Sequence, residues 1–114
     1  MIIKKLSDTP VTDMEGLDHI KKQIVIGPDD GSNEIVMRYF KVESGGSSPY
    51  HEHDFPHLVK VETGKGVVVD PDGNEHPVQA GDYVYVHDNE RHCFKNMGQD
   101  PFAFICVVPG RGEG

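Results

Sequence analysis

An all-β domain, a sandwich or barrel of short strands, is what the sequence predicts, on three observations. Apolar, β-branched and aromatic residues come in runs of four to eight. Turn formers punctuate them throughout, with 13 Gly and 8 Pro in the chain. The 114 residues suffice for one core but not two.

Eight strands are expected in order: Ile2–Leu6, His19–Ile26, Glu34–Val42, His57–Glu62, Gly66–Asp70, Tyr83–Val86, Cys93–Asn96 and Phe102–Val108. Each is bounded by a turn signal. Gly27-Pro28-Asp29-Asp30-Gly31, Gly45-Gly46-Ser47-Ser48-Pro49 and Met97-Gly98-Gln99-Asp100-Pro101 separate three pairs of runs. The clearest hairpin turn is Asp70-Pro71-Asp72-Gly73: proline presets the first dihedral, and Gly73 allows a positive φ. One helical turn is expected near Thr12–Leu17, capped by Thr12 or Asp13. These elements divide a single domain, 1–114, into a short N-terminal strand region (1–18), a barrel (19–109) and a flexible tail (110–114).

The net charge of −8 argues against a nucleic-acid surface. No apolar stretch approaches the ~20 residues of a membrane span, and Met1–Leu6 lacks a signal-peptide core, so a cytoplasmic protein is expected. Cys93 and Cys106 are read as reduced, each inside a strand. The strand Phe102–Val108 is apolar on both faces, which calls for a cover on its outer side. A second subunit, giving a homodimer, is preferred over an N-terminal segment of the same chain.

Four of the seven histidines form an ordered pattern. His51 and His53 share one face of an extended segment, and His57 follows four residues later. Pro49 and Pro56 disfavour a helix carrying His53 and His57, so a turn between strands is expected. Converging imidazoles suit a transition metal, being neutral at working pH with one lone pair each. Taken alone, the cluster is equally well read as exposed loop histidines.

A second block changes that balance. The sequence Gly81-Asp-Tyr-Val-Tyr-Val-His87-Asp-Asn89-Glu-Arg-His92-Cys-Phe-Lys-Asn96 stands after a segment carrying Gly45, His51, His53, His57 and Gly64. Together they resemble the two motifs of the cupin superfamily, G-x5-H-x-H-x3-E-x6-G and G-x5-P-x-G-x2-H-x3-N, with both spacings intact. The resemblance covers nearly the whole chain. It implies a double-stranded β-helix, or jelly-roll barrel, with a divalent metal held by His51, His53, His57 and His92. His57 stands where the family usually has glutamate, so the chain resembles the four-histidine subgroup. His87 and Asn89 replace the motif's proline and glycine. Asn89 is read as structural because asparagine tolerates the left-handed conformation, and His87 as a turn residue. His19 and His76 are read as surface strand residues.

Four neutral ligands leave the ion's charge uncompensated and remove the carboxylate that would act as general base. Mn or Fe is favoured for an open octahedral site, with Zn, Ni or Cu as alternatives. Period-two reasoning places Phe94 on the face of His92. Phe104 and Cys106 share parity on the last strand, which lines the cavity in similar four-histidine cupins. Phe55, in the loop between the ligands, is placed to close the mouth. For Phe55, Phe94 and Phe104 alike ordinary core packing is the equal alternative, and Cys106 is read as a passive core residue and not a thiolate. Arg38 shares parity with Val36, Phe40 and Val42 and, facing inward, favours an anionic small-molecule substrate; otherwise Met37 and Tyr39 face in and Arg38 is solvated. The preferred function is an oxygenase of dioxygenase type, with substrate and dioxygen taking the two open positions. A metal-dependent isomerase or lyase and a non-catalytic binding module are the alternatives.

Overall fold

The computed structural model describes residues 1–14, 17 and 19–113. Nine strands are described: β1 (Thr12–Asp13), β2 (Ile20–Ile26), β3 (Ile35–Val42), β4 (His57–Thr63), β5 (Lys65–Val69), β6 (Glu75–Gln79), β7 (Tyr83–Val86), β8 (Cys93–Lys95) and β9 (Phe102–Pro109). They form a six-stranded sheet in the order β1-β2-β3-β9-β4-β7 and a three-stranded sheet in the order β6-β5-β8. All pairings are antiparallel. The architecture is the expected all-β jelly roll, but as two facing sheets not closed into a continuous barrel. Isolated bridges Ser47↔Lys95 and His51↔His92 bring the loop before β4 alongside β8.

Register aligns the inward side chains in rows. Ile24, Arg38, Cys106, Val59 and Val84 stand opposite one another across five strands, and Lys22, Phe40, Phe104 and Val61 form the next row. Every second residue of β3 and β9 therefore points between the sheets, where Val36, Phe40, Val42, Phe102, Phe104, Cys106 and Val108 are buried. Phe104 is the hub, with ring centroids 5.3 Å from Phe40, 4.5 Å from Phe94 and 5.3 Å from Phe102. Each such pair contributes ~1 kcal/mol beyond area burial. Gly66 lies directly over the Phe102 ring, so a side chain there would occupy the ring's own space. Phe94 carries this packing up to the histidines, its ring centroid 5.8 Å from that of His92.

The outer face of the large sheet is different. Ile35, Met37, Leu58, Tyr83 and Tyr85 are exposed there, beside half-buried Ile105 and Val107 of β9. β9 is thus apolar on both faces, as expected, and the described residues leave the outer one largely uncovered.

Several local expectations change. Ile2–Leu6 is not a strand: Ile2 and Ile3 are exposed, and Leu6–Asp8 form a 3-10 turn. Thr12–Asp13 pair with β2 instead of starting a helix, and the Leu17 N–H donates to the Met14 carbonyl at 3.0 Å. The rest of that expected helical turn falls partly outside the described residues. β6 is an additional strand, and it completes the hairpin begun by Asp70-Pro71-Asp72-Gly73. There the Gly73 N–H donates to the Asp70 carbonyl at 3.0 Å, and Gly73 takes φ 83°. Beyond β9, Gly110–Gly112 form a 3-10 turn, and Glu113 pairs with Lys22 and Arg38. Among the described residues no helix is long and apolar enough to cross a membrane.

Candidate functional site

The four patterned histidines come from three segments and meet at one cavity. His51 and His92 face each other across an antiparallel bridge: the His51 N–H donates to the His92 carbonyl at 3.1 Å, and the His92 N–H to the His51 carbonyl at 3.0 Å. His53 follows in the loop, where its carbonyl accepts from the Asn89 N–H at 2.6 Å. Asn89 takes φ 63° to make that contact, the conformation its asparagine was read to provide. His57 opens β4 and is buried, as is His92.

Ring centroids lie 4.2 Å apart for His51 and His53, 5.3 Å for His53 and His57, 4.9 Å for His57 and His92, and 5.9 Å for His51 and His92. The Nε2 atoms of His51 and His53 approach to 3.1 Å. Two nitrogens bound at ~2.1 Å to one octahedral ion sit about 3.0 Å apart, so this spacing suits adjacent ligands. His92 donates its Nδ1–H to the Glu90 carbonyl at 2.9 Å, which leaves the Nε2 lone pair free. Among the described residues the buried Nδ1 of His57 has no hydrogen-bond partner. Among the described residues no three His, Cys, Asp or Glu side chains stand in a ready coordination shell. The rings are gathered without being locked into a polyhedron. Their donor chemistry, the His92 tautomer and the orphaned His57 nitrogen all fit a divalent transition ion.

The environment disfavours a positive charge on three of the imidazoles. Burial, then the His53 and His92 charges, lowers His51 to about 4. Burial, then His92, Arg38 and the other two histidines, lowers His57 to about 3. His53 is lowered by burial and then by His92 and Arg38, against the pull of Asp54.

The cavity measures about 160 Å³, and its described lining includes all four histidines with Arg38, Phe40, Phe94, Phe104 and Cys106. No Asp or Glu is among those described lining residues. Arg38 faces inward, its guanidinium over the Phe40 ring at 5.1 Å and its Nη2 donating to the Cys106 Sγ at 3.1 Å. Burial pushes the Cys106 thiol up, outweighing the opposite pull of Arg38, so the sulfur stays protonated. Phe55 stands apart from the cavity lining: it stacks behind His53 with ring centroids 4.7 Å apart and packs 5.1 Å from His57. His87 is exposed against Tyr85, His76 pairs with Asp70 at 2.8 Å, and His19 is an exposed bend residue; none joins the cluster.

Sequence reasoning missed Phe40 as a wall, although its parity with Arg38 was the available signal. It also missed Ser48, Pro49 and Ile20, which line the cavity. It missed Glu113, which pairs with both Arg38 and Lys22. No pattern in the glycine-rich tail marks Glu113.

Comparison with known proteins follows this geometry. The cupin domain family model matches residues 38–108, more than half of the chain. Among solved structures, the polyketide cyclase RemF from Streptomyces resistomycificus is 26% identical with a TM-score of 0.91, covering 96% of this chain and 80% of its own. A predicted oxalate decarboxylase from Thermotoga maritima is 21% identical with a TM-score of 0.81, covering 95% and 98%. A sugar phosphate isomerase from a cupin superfamily, from Silicibacter pomeroyi, is 23% identical with a TM-score of 0.76, covering 92% and 73%. The search of curated proteins gives no match.

Proposed function

The chain belongs to the cupin domain family, and on that premise we propose a metal-dependent enzyme for a small carbonyl compound, its ion held by His51, His53, His57 and His92. The observation that carries this reading is the gathering of four imidazoles at one phenylalanine-walled cavity, where burial lowers the pKa of His51, His53 and His57. Mn or Fe is the favoured ion, with Zn, Ni or Cu as alternatives. When bound, such an ion supplies Lewis-acid polarisation of a carbonyl and, for Fe or Mn, a redox centre.

The chain's own residues restrict the substrate. A cavity of about 160 Å³ compares with the ~150 Å³ that admits benzene, so it takes one ring or a short chain. Phe40, Phe94 and Phe104 wall it and exclude water, which strengthens the electrostatics inside. Arg38 stabilises negative charge that develops on substrate oxygen. Cys106 stays a thiol and holds one arm of that guanidinium.

Two reactions suit this site. In the first, an activated methylene joins a carbonyl of the same molecule, a ring closure that uses no oxygen; the 26% likeness to the polyketide cyclase RemF supports it. In the second, a dioxygenase cleaves the same kind of enolisable substrate. The lack of a carboxylate among the described lining residues supports that one, because proton transfers have no obvious base. The experiment purifies the protein without a chelating tag, measures its metal, and offers a linear tetraketone, whose methylene can reach a distant carbonyl in a six-membered ring, with and without oxygen. Product without oxygen selects the first reaction, and oxygen uptake selects the second. Stoichiometric metal retained after His53→Ala with His92→Ala would sink both. A cytoplasmic homodimer paired through the outer sheet face completes the proposal.

A further inference from the structure

Among the described residues Arg38 is a buried cation without an adequate acceptor. Its side chain is 11% exposed, yet no described residue accepts from Nε. Nη2 reaches only a thiol sulfur, a weak acceptor. Nη1 lies 3.5 Å from Glu113 Oε1, beyond the usual range for such a bond. Glu113 spends its better contact on Lys22, with Nζ 2.7 Å from Oε2. Two cations thus share one carboxylate, and among the described residues nothing closes the guanidinium fork.

Glu113 also stands between two cavities. Gly112 and Arg38 line the 160 Å³ cavity at the histidines. Glu113 lines a second cavity of about 400 Å³ with Lys4, Pro10, Ile24, Pro28 and Asp30. The inward face of β2 runs from Ile20 in the first, past Lys22, to Ile24 in the second. The segment that separates them is anchored at its start, where the Gly110 N–H donates to the Glu34 carbonyl at 3.0 Å, and beyond that point it rests on side chains. Gly112 rests on the Phe55 ring, where an added Cβ would come within 2.7 Å. Arg111 donates to the Asp54 carbonyl at 3.3 Å, with its guanidinium 6.0 Å from the Phe55 centroid. The inner cavity alone is smaller than the ~300–1,000 Å³ of usual ligand sites, and joined to the outer one it falls within them.

We propose that Arg38 and Lys22 form a carboxylate site in which Glu113 is a displaceable stopper. An incoming monocarboxylate takes the Arg38 fork and frees the 110–113 segment. That joins the two cavities into one cleft, with the ligand's apolar ring beside the histidines. The ligand class is a small aryl-alkyl carboxylate, and a neutral amide of the same shape is rejected because it brings no charge to the fork. The inference rests on the reading of the histidine cavity as a substrate site, but the carboxylate binding itself needs no metal.

The test is calorimetric titration of metal-stripped protein with phenylacetate and with phenylacetamide. Glu113→Gln removes the internal competitor, and Gly112→Val pushes the segment off Phe55 without changing charge. Both variants should bind phenylacetate at least about tenfold more tightly than wild type, because the competent fraction rises. Phenylacetamide should not bind. Adding Arg38→Gln to Glu113→Gln should abolish the gain; Lys22→Gln in the same background should weaken it and serves if the arginine variant fails to fold. Equal affinity in wild type and Glu113→Gln overturns the proposal, as does equal binding of acid and amide. Failure of the metal reading shows separately, as absent metal with the titrations unchanged.

Discussion

Acid should destabilise the metal-free protein through His57 well before the carboxylates protonate. In the unfolded chain this imidazole takes up a proton near pH 6.5. In the folded chain burial and the neighbouring positive groups delay uptake to about 3. Between those values the unfolded state binds more protons, so stability falls as pH falls. The limiting slope for one such group is about 1.4 kcal/mol per pH unit. From pH 7.5 to 4.5 the ceiling is therefore about 3 kcal/mol, and water entry on protonation reduces it to ~1–2 kcal/mol. The perturbation is His57→Leu, which removes the titrating group and fills the same buried site. Urea denaturation of chelator-treated wild type and variant across that range reads the effect as a difference between two curves. The wild type should lose ~1–2 kcal/mol more than the variant on acidification. Parallel curves would refute the account of a neutral, desolvated cluster.

Two further outcomes are expected. Asn96→Ala should cost about 2–4 kcal/mol, read as a shift of the denaturation midpoint. Its Nδ2 donates to the Val42 carbonyl at 2.9 Å and the Asp100 carbonyl at 2.8 Å, and its Oδ1 accepts from the Gly98 N–H at 3.0 Å. On the outer sheet face Leu58 and Val107 are register partners. Light scattering should give a dimer for the wild type and a monomer for Leu58→Asp with Val107→Asp, and a monomeric wild type would remove the homodimer from the proposal.

Legibility followed physical strength. Buried strands announced themselves, because β3, β4 and β9 must put every second residue into one core. β6 did not: Glu-His-Pro-Val-Gln is an edge strand paired only to β5, and its polar residues and Pro77 are what an edge tolerates. Ile2–Leu6 has strand-like residues but no partner strand, which local pattern cannot reveal. At the site, the motif spacing identified which histidines converge, since both motifs sit on strands and tight turns of fixed length. Parity put Phe94 beside His92, the family resemblance put the strand of Phe104 and Cys106 at the cavity, and parity left Arg38 open between inward and solvated; all four line the cavity. Of the two readings of Phe55 the structure shows core packing, and Glu113 escaped because a tail obeys no period. Their positions depend on contacts across the chain, Phe55 behind His53 and Glu113 between two cations.

The bridge between His51 and His92 carries a consequence for how such a centre changes over evolutionary time. Two reciprocal main-chain hydrogen bonds set the spacing of these positions, whatever side chains they bear. The backbone acts as a socket into which different donors can be fitted without refolding the sheet around them. Replacing one imidazole by a carboxylate or an amide would retune ion preference and charge in a single step. Chemistry can therefore diversify here while the scaffold stays under its own, separate selection.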